Sequence, residues 1–331
     1  MARKVLLGAT LVCALGLAST VGATEAPPIP PGYANEQQVM AAIALRQIKL
    51  IDAKDIVVPP GVEERLDVEY GVGGGHPLML DLYLPQGRTT ASGAILFIHG
   101  GAWKSGKRGD MKYYCVKFAE KGYVTATVTY RLIKEAPFPA CVQDVKCAVR
   151  WLRANAAAYQ VDPERIAVSG NSAGGHLALM IGYSDDPSLE GQGGHPGVSS
   201  RVRAVVDFYG PTDLAADYVR KHEILEEFLG GKTFEEAPEV FNLASPLYHL
   251  NKNDPPTLIF QGTIDSLVPV AQSDALADKL KELGIDYVYE RYEGWPHVMD
   301  MAEAVNRRCL YQMEQFFGKH LCGGRGNPDN K

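Results

Sequence analysis

The sequence predicts an α/β fold: a mostly parallel central sheet with helices on both faces and a small insert over the active edge. Two observations predict it. Between residues 94 and 317, short apolar runs alternate with stretches of helical periodicity, the signature of strand–helix–strand units. The run "AILFIHG" is apolar almost throughout, as in a strand buried on both faces. A chain of 331 residues can bury a sizeable core in one such domain.

The elements follow in order. "MARKVLLGATLVCALGLASTVGA" has a basic start, an apolar centre and small residues at Val21 and Ala23. That is the layout of a secretory signal cleaved after Ala23, too short and weakly flanked for a stable membrane span. The Pro-rich residues 24–34 then read as a flexible linker. Residues 35–320 form a single catalytic domain, and 321–331 a flexible tail. Residues 35–49 read as an amphipathic helix, with Asn35 and Gln38 spaced as in a capping box. "EERLDVEYGVGGGHPLMLDLYLP" gives two alternating strands joined by a glycine-rich turn, and no helix follows those glycines to make a phosphate loop. From Ala94 the alternation begins: "AILFI", a helix over 111–121, "YVTATVTY", a helix from Ala140, "RIAVSG", a helix from Ser172 and "RVRAVVDFYG". A mixed insert over 211–253 follows, then "PTLIFQG", the helix "AQSDALADKLKELG", "IDYVYERYEG" and a last helix over 299–317.

Formal net charge is −6. Residues 1–23 carry Arg3 and Lys4 and no acid, so cleavage leaves −8, two units lower. That balance excludes a nucleic-acid partner, whose phosphates call for a basic surface. Cys115, Cys141, Cys147, Cys309 and Cys322 would remain after cleavage. The number is odd, there is no C-x-x-C pair, and the sequence assigns no disulfide and no metal site.

In a parallel sheet, the loops leaving the C-terminal strand ends form the active edge. Four of them carry reactive residues. Ser172 stands in G-x-S-x-G after "RIAVSGN", where a sharp strand-to-helix turn would raise its hydroxyl. A serine hydroxyl is a weak nucleophile and needs a base, and the base needs a group that fixes its tautomer. His297 after "YVYERYEG" and Asp265 after "TLIFQG" supply both. The oxyanion needs donors, for which the N–H groups of Gly100, Gly101 and Ala173 are placed. His176 is a rival base one turn past the serine, better suited to packing. His195, His222, His249 and His320 lie outside these loops or in a glycine-rich one. Asp213 and Asp300 are rival acids, Asp213 reading as a helix cap. Trp103 and Trp295 flank the oxyanion loop and the histidine and could wall a substrate pocket; buried core is the alternative for both.

Together "LDLYLP", "HGGAW", "GNSAGGHLALM", "SPLYHL", "GTIDSLVP" and "EGWPHVM" make residues 66–317 resemble an α/β-hydrolase-fold carboxylesterase. The likeness is to the hormone-sensitive-lipase-like and BD-FAE-like (feruloyl/acetyl esterase) group. It implies Ser172 as nucleophile, Asp265 and His297 as its partners, Gly100, Gly101 and Ala173 as oxyanion donors, and no metal or organic cofactor. Ala102 stands where many relatives have a third glycine, Asn171 where many have an acid, and Trp295-Pro296 where many have small residues. The expected protein is a secreted or periplasmic serine carboxylesterase. It would act on short or compact acyl groups of a small-molecule or polysaccharide-linked ester, acetyl or feruloyl among them. A serine peptidase or amidase with the same residues, and a non-catalytic binding protein, are the alternatives. Oligomeric state is not encoded legibly.

Overall fold

The computed structural model describes residues 25–321 except 53 and 55; the expected signal segment 1–23 and residues 322–331 lie outside the described residues. Eight strands form one sheet: β1 (Val62–Gly73), β2 (His76–Pro85), β3 (Ser92–Ile98), β4 (Val124–Val128), β5 (Val161–Asn171), β6 (Ala204–Phe208), β7 (Thr257–Gly262) and β8 (Tyr287–Tyr292). Their order is β1-β2-β4-β3-β5-β6-β7-β8. β2 runs antiparallel to β1 and β4, and every other neighbouring pair is parallel. β1 and β2 pair through Gly73 and His76, with Gly74 (φ 58°) and Gly75 (φ 83°) between them. Two positive-φ residues are what a tight primed hairpin turn requires.

Chain order reverses at β3: β4 lies on one side of it and β5 on the other. Such a switch point opens a crevice at the carboxyl ends of the strands. The "HGGAW" and "GNSAGG" segments both leave from there.

The sheet divides two cores. On one face α3 (Ala140–Ala154), α4 (Ala173–Tyr183) and α8 (Ala271–Leu283) pack against Leu96, Ile98, Val168 and Val205. On the other, α1 (Glu36–Ala44), α2 (Lys112–Ala119) and α9 (Glu303–Leu321) pack against Phe97, Ala167, Val206 and Phe260. These strand residues are fully buried, each large one contributing about 1.5–3 kcal/mol through desolvation. The insert holds three short helices, α5 (Glu223–Phe228), α6 (Pro238–Leu243) and α7 (Pro246–His249).

Four expectations about elements are corrected. Helix α1 ends at Ala44, not at residue 49, because Arg46 takes a left-handed φ of 57°. Asn35 does cap it, accepting from Gln38 N–H at 3.0 Å. The last helix begins at Glu303: Met299–Met301 form a separate 3₁₀ turn, and Ala302 is extended. Leu321 is buried at its end rather than part of a tail. The expected flexible linker is instead tethered along residues 27–33, its carbonyls and N–H groups bonded to Arg308, Trp295 and Gly294. Among the described residues, no helix is long and apolar enough to cross a membrane. Cys115, Cys141, Cys147 and Cys309 are all buried and unpaired.

Candidate active site

Ser172 sits between β5 and α4 with φ 54° and ψ −121°. A non-glycine residue in this region costs on the order of 1–3 kcal/mol and persists only where its surroundings impose it. Here they do. Its N–H donates to the Phe208 carbonyl at 2.8 Å and its carbonyl accepts from His176 N–H at 3.0 Å. The flanking small residues are steric necessities: a Cβ on Gly170 would meet the Gly174 carbonyl at 2.1 Å, and one on Gly174 the Ile98 carbonyl at 2.1 Å.

Three of the predicted residues come together at the carboxyl edge. His297 Nε2 lies 3.0 Å from Ser172 Oγ, and His297 Nδ1 lies 2.6 Å from Asp265 Oδ2. The Asp265 carboxylate is held by three other donors: Leu267 N–H at 2.9 Å, Val268 N–H at 2.8 Å and Gln261 Nε2 at 3.1 Å. The Gln261 side chain is in turn fixed by Ser273, whose hydroxyl donates to Oε1 at 2.9 Å. With every partner of that carboxylate donating, the proton belongs on His297 Nδ1, which leaves Nε2 as acceptor toward the serine hydroxyl. Val298, immediately after the histidine, is left-handed at φ 60°.

The oxyanion side differs from expectation at one position. Gly100 N–H donates to Asn171 Oδ1 at 2.8 Å, so it is spent on bracing the loop and is not a free oxyanion donor. The main-chain N–H groups of Gly101, Ala102 and Ala173 have no acceptor among the described residues. Ala102 also borders the cavity in front of Ser172. The sequence does not mark Ala102 as a donor, because a loop turning this way is usually built from glycine. Its φ of 51° shows the loop takes a glycine-like conformation there all the same. The loop is anchored by His99, whose ring stacks on Tyr130 at 4.4 Å and whose Nδ1 lies 2.8 Å from the Gly100 carbonyl. Burial lowers the pKa of His99, which keeps it a neutral structural group.

A cavity of about 190 Å³ opens at Ser172 and His297. Its walls are mainly apolar: Trp103 and Ala173 on the loop side, Pro211, Leu214, Val219, Ile224 and Leu225 from the insert, and Leu267 and Val268 beyond Asp265. It is smaller than the roughly 300–1,000 Å³ usual for drug-sized ligands. Trp103 lines it, stacked on Phe228 at 4.2 Å and donating through Nε1 to His176 Nδ1 at 3.2 Å. Trp295 does not line it. Its indole is buried, and Nε1 donates to the Pro30 carbonyl at 3.1 Å, so the pocket role expected for it is withdrawn. His222, set aside from sequence, borders the cavity from the insert.

The rivals have other partners. His176 is fully buried between Trp103 and the Ala244 carbonyl, 2.8 Å from Nε2, and burial lowers its pKa to about 4. Asp213 accepts from Ala215 N–H at 2.9 Å and caps a turn; the helix expected there does not form. Asp300 is buried, accepting from Tyr114 at 2.7 Å and from Tyr209, and burial raises its pKa. Tyr209 lays its ring 4.6 Å from that of His297. Among the described residues, no group of three or more His, Cys, Asp or Glu is arranged to hold a metal ion.

Comparison with known proteins decides the family. The BD-FAE family model matches residues 80–280. The chain belongs to the BD-FAE family. The matched stretch takes in Gly100, Ser172 and Asp265 but stops short of His297. Esterase LipQ of Mycobacterium tuberculosis is 32% identical over 264 residues, covering 76% of this chain and 61% of that protein. The chain thus spans about three-fifths of the length of that curated relative. Among solved structures, Thermogutta terrifontis esterase 2 matches with a TM-score of 0.68 at 30% identity, over 78% of this chain and 95% of that one. A truncated carbohydrate esterase from gut microbiota matches with a TM-score of 0.67 at 30% identity and the same coverage. These neighbours share the α/β-hydrolase fold seen in this BD-FAE chain.

Proposed function

We propose that this chain is a serine carboxylesterase that hydrolyses compact acyl esters through an acyl-enzyme. The observation that carries the reading is the relay from Ser172 Oγ to His297 Nε2 at 3.0 Å and from His297 Nδ1 to Asp265 at 2.6 Å, open to a small apolar cavity. Ser172 attacks the ester carbonyl while His297 takes the hydroxyl proton. Asp265 holds the imidazole tautomer and stabilises the imidazolium that forms. Negative charge develops on the carbonyl oxygen, toward the N–H groups of Ala173, Gly101 and Ala102. The tetrahedral intermediate collapses, His297 returns the proton to the departing alcohol, and water repeats the sequence on the acyl-serine.

The narrow cavity favours acetyl-sized groups over long chains, and over feruloyl, whose ring would need the mouth of the site. An ester on an extracellular carbohydrate is consistent with the carbohydrate esterase among the similar structures and with the signal-like residues 1–23. Export is tested by N-terminal sequencing of protein recovered outside the cytoplasm, which should begin at Thr24. The activity test is a series of p-nitrophenyl esters from acetate to palmitate beside methyl ferulate, acetylated xylan and a p-nitroanilide, with fluorophosphonate labelling of Ser172. Acetate to butyrate should give the highest kcat/KM. A rise toward palmitate, faster anilide cleavage, or failure of Ser172 to label would overturn the reading.

A further inference from the structure

We propose that residues 27–36 form a strap that positions the two loops carrying His297 and Asp265, with Trp295 as the positioning residue through which it acts. The inference rests on the esterase reading for its kinetic test, and on geometry for the rest.

The contacts are selective. Tyr33 N–H donates to the Gly294 carbonyl at 2.9 Å, three residues before His297. Trp295, two residues before His297, donates from its indole to Pro30 at 3.1 Å and meets the Tyr33 ring edge-on at 5.7 Å. At the far end, Glu36 Oε1 accepts from Ser266 N–H at 3.2 Å, one residue past Asp265. At the near end, Arg308, paired to Glu290, donates to the Pro27 carbonyl at 3.0 Å. Two glycines make the approach possible. A Cβ on Gly32 would lie 1.9 Å from the Glu293 carbonyl, and one on Gly294 would lie 2.5 Å from the Tyr33 backbone. No strand pairing joins this segment to the sheet, so what it adds is grip on two loops rather than another strand.

The two loops are already stitched together beneath it. Ile264 N–H donates to the Trp295 carbonyl at 3.2 Å, and Gly294 N–H to Thr263 Oγ1 at 2.9 Å. The strap therefore bears on both partners of Ser172 at once. A displacement of about 1 Å in a reacting group can cost on the order of 100-fold in rate, so a segment outside the family-matched region 80–280 governs turnover.

The test compares the protein beginning at Thr24 with Gly32→Ala, Trp295→Phe, deletion of residues 24–34 and, as a control on the outward-facing side of the strap, Pro28→Ala. Gly32→Ala adds one methyl against Glu293 and removes no core packing, so it remains informative if the deletion does not fold. Two quantities are read: kcat and KM on p-nitrophenyl acetate, and amide hydrogen exchange of peptides covering 262–268 and 292–299. Gly32→Ala and Trp295→Phe should lower kcat about 10- to 100-fold with KM changed less than about threefold. Exchange should accelerate in those two peptides and not in β5 or α4, while Pro28→Ala matches the parent. Unchanged exchange in the two peptides, or a loss confined to KM, overturns the strap. If the parent protein hydrolyses no ester and does not label at Ser172, the esterase reading fails, and the exchange data alone decide the strap.

Discussion

Ser172 is held in a conformation its own residue type disfavours, and the residues that impose it were readable as a motif. The small residues at 170 and 174 are required because a Cβ on either would lie 2.1 Å from a backbone carbonyl oxygen, a reason the motif alone does not disclose. Ser172→Ala should fold with a circular dichroism spectrum like the parent's and lose roughly 10³-fold or more in kcat; retention of more than about a tenth of the rate would exclude it as the nucleophile. Asp265→Asn should cost about 10⁴-fold by releasing the histidine tautomer. Asp300→Asn, at a carboxylate that accepts from Tyr114 and Tyr209, should keep at least a tenth of the activity; the reverse ranking in steady-state assays would move the acid to Asp300. His176 gives a pH signature. Its folded pKa near 4 lies below the unfolded value of about 6.5, so below pH 6.5 the unfolded chain binds a proton the folded chain refuses. Stability should therefore fall as pH drops from 6.5 to 4, by about 3 kcal/mol from this residue. Urea melts of the parent and His176→Gln across that range check it: the difference between the two curves should shrink toward acid. At this scale the reading from sequence was weakest where a residue's partner is remote in the chain. Nothing near Gly100 announces that Asn171 takes its N–H, and nothing near Trp295 announces Pro30, 265 residues away.

Among the elements, legibility followed burial. β4, β6 and β7 are buried at every residue, so their sequences are mainly apolar and their carboxyl ends could be located to a residue or two, whereas the edge strand β8 exposes Val288 and Arg291. α1 carries a mixed, half-exposed sequence and its end moved, and the start of α9 moved from residue 299 to Glu303. For α1 the cap was readable, because Asn35 bonds locally, whereas its end is set by the conformation of Arg46 rather than by any glycine or proline. The insert contributes Pro211, Leu214, Val219, His222, Ile224 and Leu225 to the cavity wall. Leu225 on α5 is buried and walls the cavity. Leu225→Ala should lower stability by roughly 2 kcal/mol and enlarge the acyl space, raising kcat/KM for p-nitrophenyl hexanoate relative to acetate by about tenfold. An unchanged ratio would mean that the acyl group does not occupy this cavity. α8 ties the insert to the site through buried Gln272, whose Oε1 accepts from Thr212 and Asp213 N–H at 2.7 Å each. That link pairs a helix with a loop about 60 residues earlier, a separation over which local pattern carries no signal.

For the molecule as a whole, the class of fold and the order of the reactive loops were legible, because parallel strands with crossover helices leave few topologies open. What sequence could not supply was the state of the cysteines. Four are buried and unpaired in a chain whose first residues resemble an export signal, although oxidising compartments favour disulfides. Cys115, Cys141, Cys147 and Cys309 should resist alkylation in the native protein, and all four should be alkylated in denaturant without reductant, as read by peptide mapping; a shortfall would reveal a bridge. The nine left-handed non-glycine residues described are unevenly spread: Ala102, Trp103, Ser172, Tyr209 and Val298 ring the active edge, while Arg46, Asp67, Gln160 and His195 lie elsewhere. This bears on any attempt to make the protein withstand heat. Each such residue carries about 1–2 kcal/mol of conformational cost, most of which glycine relieves, less the roughly 0.4–1 kcal/mol by which glycine favours the unfolded chain. At exposed Arg46 or Gln160 the exchange should raise the melting temperature without touching turnover. Around Ser172 the same exchange would add heat resistance while slackening the frame that aims the hydroxyl. A screen that selects for surviving structure alone would therefore enrich stable, inactive proteins, and would do so at the very positions that a screen for turnover would leave untouched.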